Sequence, residues 1–394
     1  FEFNGKIIGN AFIKNLQTTP VFTADISIED FAFKNDILGH MNIKIDNEIA
    51  HTYRTNISIT GQENQVNLNG FYKTGDSSFD MNLNIGKLNL KSIQGFSFNQ
   101  LKESTGFFTG NFNIAGTTTK PKVIGELQFN EIGFKVTQLN SKFKSINDKI
   151  VFTNQAINFN QFIIKDEKDN KLTINGKINS QNFSNLGFDL SIDATNFKAI
   201  NSKAKDNDLY YGELFLDNHL RIKGDWNSPI VDGNIKINKD TKFTFVLPQE
   251  DPSIADREGV VEFIDQDNPQ LIQTIVVNDS INKMLIKGIN ASVNIEIDKD
   301  AELSLIIDKA NGDFLKLKGE AQLTGGIDQS GETTLIGRYE LTEGSYEMNF
   351  SAIKRKFDIK KGSYILWTGE PTSADINITA IYKTEAAPID LVYD

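Results

Sequence analysis

Histidine is the side chain best suited to acid–base catalysis or metal binding near neutral pH, and this chain holds three: His40, His51 and His219. None has a second His, Cys or carboxylate at the short fixed spacing that builds a metal site, so they read as strand and loop residues. Cysteine is absent, which removes disulfides, thiolate metal centres and a thiol nucleophile. The acidic runs Asp206-Asn207-Asp208, Asp265-Gln266-Asp267-Asn268 and Asp298-Lys299-Asp300 offer oxygen ligands for calcium. They lack the Gly and the closing Glu of a calcium loop, and turn formation is the chemistry they fit. No G-x-S-x-G elbow, P-loop or H-E-x-x-H occurs, and no Ser has a plausible His partner. A pair of facing carboxylates stays open in a chain with 52 acidic residues. The expectation is a protein without catalytic residues, metal or cofactor.

Charge narrows the partners. The net charge is −11, the pI is near 5.0, and the 41 basic residues are dispersed, so no basic stripe exists to neutralise nucleic-acid phosphates. No apolar run approaches the ~18 residues of a spanning helix, and Phe1-Glu2-Phe3-Asn4-Gly5 is not a leader. With no initiator Met, the chain reads as a window from a longer protein, any signal or anchor lying outside it.

The elements available to position side chains are strands. Apolar and polar residues alternate at period two from end to end, as in Ile43-Lys44-Ile45, Ile57-Ser58-Ile59, Leu83-Asn84-Ile85, Leu127-Gln128-Phe129, Ile235-Lys236-Ile237, Val293-Asn294-Ile295-Glu296-Ile297 and Tyr346-Glu347-Met348-Asn349-Phe350. Hydrophobic residues make up 39%, which suits sheets with one wet face. Helical periodicity competes weakly around Ser92 to Glu103 and Asn196 to Leu209. A degenerate repeat places Gly116, Pro121 and Gly125 at the same spacing as Gly224, Pro229 and Gly233. It predicts a strand ending at the first Gly, a turn closing with Pro, and a return strand opening at the second Gly. From Asn238 to Ser280 the pattern lapses, and segments such as Val246-Leu247-Pro248-Gln249-Glu250-Asp251-Pro252 read as an exposed loop-rich insertion. The division expected is a repeating β segment over 1–237, the insertion over 238–280 and a C-terminal β domain over 281–394.

That last segment carries a resemblance. Ile295 to Leu303, Leu315-Lys316-Leu317-Lys318-Gly319, Gly331 to Tyr339, Gly344 to Phe350, Lys356 to Trp367 and Gly369 to Tyr382 follow one another in an order similar to the C-terminal domain of the TamB family, in the wider AsmA-like group. Ile164-Lys165-Asp166, Leu172 to Gly176, Tyr210-Tyr211-Gly212 and Ile222-Lys223-Gly224 extend the likeness upstream. The resemblance covers roughly the last two-thirds of the chain. It implies an all-β fold, an elongated, curled, mainly antiparallel sheet shaped as a taco-like groove with an apolar interior. It further implies a protein anchored in the inner membrane and crossing the periplasm of a double-membraned bacterium. Its C-terminal end would meet an outer-membrane barrel of the Omp85 type, a TamA-like partner. The roles implied are phospholipid transport, or chaperone-like help in assembling or secreting outer-membrane proteins. Members commonly run well past the Pro388-Ile389-Asp390-Leu391 point, so a further tail beyond Asp394 is expected.

Alternation alone leaves open what covers the apolar face. A second sheet would make a sandwich, whereas a trough would leave the face to a lipid tail. For the trough, the expected lipid-binding floor is Leu303, Leu305, Leu315, Leu317, Leu335, Tyr339, Tyr346, Met348, Phe350, Phe357, Ile359, Ile376 and Ile378. The varied spacing of the runs disfavours a regular solenoid, and strands shorter than about nine residues without aromatic girdles disfavour a transmembrane barrel.

Overall fold

A computed structural model of the chain describes residues 2–17, 20–145, 147–181, 183–246, 288–309, 311–350 and 353–385. Strands account for 72% of it and helix for 2%, so the period-two pattern is realised as one sheet of 24 strands. Those strands occupy nineteen rows, because five rows each consist of two short strands end to end. At about 4.8 Å per row the sheet extends roughly 85 Å across its strands.

Each long strand bends once. In Val21–Phe33, Leu101–Thr117, Lys120–Val136, Ala156–Lys165 and Gly187–Ser202 the bend falls at a non-glycine residue with positive φ: Asp30, Glu103, Glu131, Gln161 and Asn196, all between +48° and +52°. The pairing register shifts beside these residues, as expected of bulges that insert one residue and re-aim the chain. Further along, whole rows break at the same line, between Ser228–Ile237 and Lys242–Val246 and between Asn290–Ile297 and Glu302–Asp308. The sheet is thereby folded along a crease into two legs. Side chains next to the bends are the most deeply buried: Ile132 is 1% exposed, Phe162 6%, Phe197 4%, Phe215 1% and Leu341 0%. Full burial of one such side chain stabilises by about 1.5–3 kcal/mol.

Backbone groups freed at the crease need partners. Asn196 N–H donates to Asp217 Oδ1 (2.6 Å), which also accepts from Asn238 Nδ2 (2.8 Å). Thr241, fully buried, accepts from the Phe215 N–H and donates to the Phe215 carbonyl, both at 3.1 Å, while its own carbonyl accepts from Glu302 N–H at 3.0 Å. Lys198 is buried beside these groups, holds Glu213 at 2.6 Å and lies over the Phe215 ring.

Three sequence expectations change here. The stretch expected to be a loop from residue 238 contributes the strand Lys242–Val246, paired on both sides; five residues were too short to show alternation above the noise. Residues 247–280 of that stretch, Pro248 to Asn268 included, lie outside the described residues. In the repeat, the return strands open at Lys120 and Ser228, and Gly125 and Gly233 lie well inside them. They are glycine because a Cβ would stand 2.1 Å from the Asn111 carbonyl oxygen and 2.0 Å from that of His219. The weak helical signal at Ser92 becomes one short turn, Leu90–Ile93 continuing as a 3-10 turn over Gln94–Ser97, whereas Asn196 to Ser202 is strand.

Among the described residues, pairing is antiparallel except at one seam. Ile230–Ile237 runs parallel to Asn290–Ile297, and Lys242–Val246 parallel to Glu302–Ile306. Parallel neighbours cannot be joined by a hairpin.

Two measurements test the crease. Thr241→Val keeps the volume and removes both hydroxyl bonds, so urea unfolding should show a loss of about 2 kcal/mol or more. Thr241→Ser should restore most of it. The Lys198 ammonium holds the Glu213 carboxyl below the usual carboxylate range. Because the folded-state value is the lower one, this contribution is present above the unfolded value of about 4.3 and is lost as pH falls through the folded one. Glu213→Gln should therefore flatten the acid limb of a stability-against-pH curve, and an unchanged limb would show that the pair does not matter.

Candidate functional site

Among the described residues, the inner face of the legs is an extended apolar surface on which many side chains are only half-buried. In the first half, Ile26, Ile43, Ile57, Leu68, Leu83 and Phe112 lie opposite one another across six successive strands, the first five half-buried. In the second half, Phe245, Leu305, Leu315, Tyr346 and Phe357 form a second stripe. Phe243, Leu303, Leu317 and Gly344 run beside it, nearer the crease. The Tyr346 and Phe357 rings stack at 6.1 Å, and Phe357 meets Tyr382 at 5.4 Å.

The residues expected to form the floor divide by position. Leu317, Tyr339 and Ile359 are buried in one cluster with Ile297, Ala301, Ala321, Leu323 and Leu341. Leu303, Leu315, Leu335, Tyr346 and Ile378 are half-buried against it. Leu305, Met348 and Phe357 are half-buried on the open part of the leg. Phe350 pairs with Ile353 through the backbone. Ile376, by contrast, is 62% exposed on a three-residue strand, Asp375–Asn377, with too few neighbours to cover it. The structure adds Phe243, Ile297, Leu323 and Trp367 to this surface. Their alternating neighbours carried the signal, but which alternate face would be inner required the register.

A bulge keeps this surface continuous. Leu335, Tyr339 and Leu341 are odd-numbered and inward, whereas Tyr346 and Met348 are even-numbered and inward. Thr342 is the extra residue between Leu341, opposite Gly319, and Glu343, opposite Lys318. Without it one half of the strand Thr333–Phe350 would turn its apolar side chains to water.

The opposite face is satisfied within itself. Asn294 Nδ2 donates to Asn234 at 3.1 Å, Thr324 donates to Asn294 at 3.3 Å, and Lys236 pairs with Glu296 at 2.6 Å. The Arg338 guanidinium stacks on Tyr364, 3.8 Å from the ring centre. His219 Nδ1 lies 2.5 Å from Asp193 Oδ1 on this wet face, and His51 approaches only Thr74. Among the described residues no group of three or more His, Asp or Glu side chains is placed to hold a metal, and no helix is long and apolar enough to cross a membrane. Inside the fold, burial pushes the Tyr339 phenol well above its usual range, and its hydroxyl has no hydrogen-bond partner. The chemistry available on the inner face is thus apolar contact.

A family model described as the TamB C-terminal domain matches residues 160–392. No curated protein and no solved structure matches the chain significantly.

Three aspartates distinguish crease, leg and wet face. Leu341→Asp buries an uncompensated carboxylate and should cost about 4 kcal/mol or more. Leu335→Asp, on the half-open leg, should cost about 1–2 kcal/mol, and Ile336→Asp, one residue away but 53% exposed on the outer face, less than about 1 kcal/mol. Chemical denaturation of the three variants checks the order. Equal losses for Leu341 and Leu335 would mean that the leg is closed by a second layer.

Proposed function

Since the chain belongs to the TamB family, we propose that it is a non-catalytic scaffold that conducts phospholipid between the inner and outer membranes along its apolar trough. Membership of that family carries a role in outer-membrane biogenesis and assembly, a place in the bacterial envelope, and work as a non-enzymatic module with partners. The observation that carries this reading is the apolar inner face, packed at the crease and half-open along the two stripes. A buried methylene is worth about 0.8 kcal/mol, so an acyl chain of roughly sixteen carbons resists entering water by about 13 kcal/mol. A continuous apolar face removes most of that barrier without chemistry. In this reading the protein crosses the periplasm from an inner-membrane anchor outside this chain, and its C-terminal end meets a TamA-like barrel of the Omp85 type.

The second reading is a chaperone-like scaffold for outer-membrane proteins, which would offer a strand edge to an unfolded chain. Such an edge accepts an extended segment by β-augmentation.

Lipid analysis of gently purified protein separates them. Phospholipid should co-purify with the parent chain and with Ile336→Asp, and should fall at least tenfold with Leu335→Asp, which should also fail to rescue an envelope defect in cells lacking the parent protein. A folded Leu335→Asp chain that keeps its lipid and rescues the cells removes the conduit. Saturable binding of barrel-strand peptides in the absence of lipid would favour the chaperone.

A further inference from the structure

The second leg has a hole. Strands Thr52–Gly61, Asn64–Lys73 and Ser78–Asn89 build the first leg and stop at the crease. Residues 36–39 of the strand Asp36–Asp46 and residues 101–106 of the strand Leu101–Thr117 are therefore paired on one side only. Between these two edges lies the helical turn Leu90–Ile93 with its extension Gln94–Ser97. Side chains stitch it in place. Asn64 Nδ2 donates to the Leu38 carbonyl (2.8 Å) and to Ser92 Oγ (2.9 Å), Gln94 Oε1 accepts from Ser104 N–H (3.1 Å), and Ser97 Oγ accepts from Leu101 N–H (3.0 Å). Gly95 lets the turn lie close to Asp36, since a Cβ there would stand 2.8 Å from Asp36 Oδ2.

Two clefts of about 610 and 530 Å³ flank the plug and share Lys91, Ser104 and Thr105 as lining residues. Three polar groups there have no partner among the described residues. Ser104, 6% exposed, carries a buried hydroxyl without a hydrogen bond. The Lys91 ammonium is in no ion pair, and neither is the Asp36 carboxylate, which lines the smaller cleft. Elsewhere around the clefts charges are matched, Glu103 with Lys142 at 2.6 Å and Glu63 with Lys87 at 2.6 Å. Phe134 and Phe143 line the larger cleft and belong to an apolar cluster that also contains Phe197.

We propose that this plugged gap is a headgroup site for a zwitterionic lipid, holding a phosphate ester by Lys91 and Ser104 and a neighbouring ammonium by Asp36, with the first part of the tail against Phe134 and Phe143. A buried hydroxyl without a partner is costly, and a charged acceptor is what it lacks. The site rests on the conduit reading, for which it supplies a lateral point where a headgroup stays in polar surroundings while its tail lies inside.

The test is calorimetric titration of the full chain with dihexanoyl phosphatidylethanolamine below its micelle concentration, with dihexanoyl phosphatidylglycerol, glycerophosphoethanolamine and inorganic phosphate as comparisons. Lys91→Gln and Ser104→Ala should each weaken the ethanolamine lipid at least tenfold at unchanged thermal midpoint. Asp36→Asn should weaken it severalfold and leave the glycerol lipid, which has no ammonium, unaffected. Normal binding by Lys91→Gln and Ser104→Ala overturns the site. If long-chain lipid still co-purifies in a Leu335-dependent way, the conduit survives that failure. No binding of either lipid to the parent chain, with no long-chain lipid co-purifying, overturns both. Glycerophosphoethanolamine or phosphate binding as tightly as the lipid overturns the lipid assignment, because the apolar wall then contributes nothing.

Discussion

A single antiparallel sheet with one apolar face has to cover that face, and this protein does so by folding the sheet on itself along a crease. Bending a strand risks reversing which side chains point inward, because the side-chain period is two. Each bend therefore carries an irregularity, and the case of Thr342 shows why: the added residue lets odd-numbered Leu341 and even-numbered Tyr346 share one surface. The same device, with a non-glycine residue held at positive φ, recurs at Asp30, Glu131, Gln161 and Asn196. Local backbone strain of this kind costs of order 1–3 kcal/mol per position, which adjacent burial of Ile132, Phe162 and Phe197 offsets.

Polar groups at the crease follow from that geometry. A bend in a ladder leaves N–H and C=O groups without strand partners in a water-poor region. Asp217 and Thr241 take them up where the rows divide, and Asn238 Nδ2 donates to the Asp217 carboxylate. Ser363, buried in the same position farther along, accepts from Leu341 N–H through its carbonyl at 2.8 Å and from Thr379 N–H through its hydroxyl at 3.1 Å. These side chains allow a wall to turn a corner. The parallel seam near Ile237 and Ile297 keeps the same crease line across a change of strand direction.

Two faces with different degrees of internal satisfaction give the molecule its functional character. Asn, Lys and Glu side chains on the outer face bind one another across rows and present a hydrated surface. The inner stripes present apolar side chains, many of them half-buried. The gap in the second leg is the exception, a polar interruption in an apolar interior, closed by a turn whose side chains cap the sheet edges on either side.

Much of this architecture was legible in the sequence. Alternation such as Val293 to Ile297 and Leu315 to Leu317 identified strands and their apolar faces. The family was legible in the order of segments from Ile295 to Tyr382. Burial was not. Leu317 and Leu305 look alike in sequence, yet one lies at the crease and the other on the open leg, because distance from the bend decides coverage. Ile376 alternates as cleanly as Leu315 but sits on a strand too short to be covered. Strand Lys242–Val246 and the seam beside it depend on pairing with residues about sixty positions away, which no local pattern encodes. Local periodicity thus determined which residues are strand and which of their faces is apolar. Register, bulges and the line of the crease, set by contacts distant in sequence, decided which of those residues are packed and which remain free to meet a ligand.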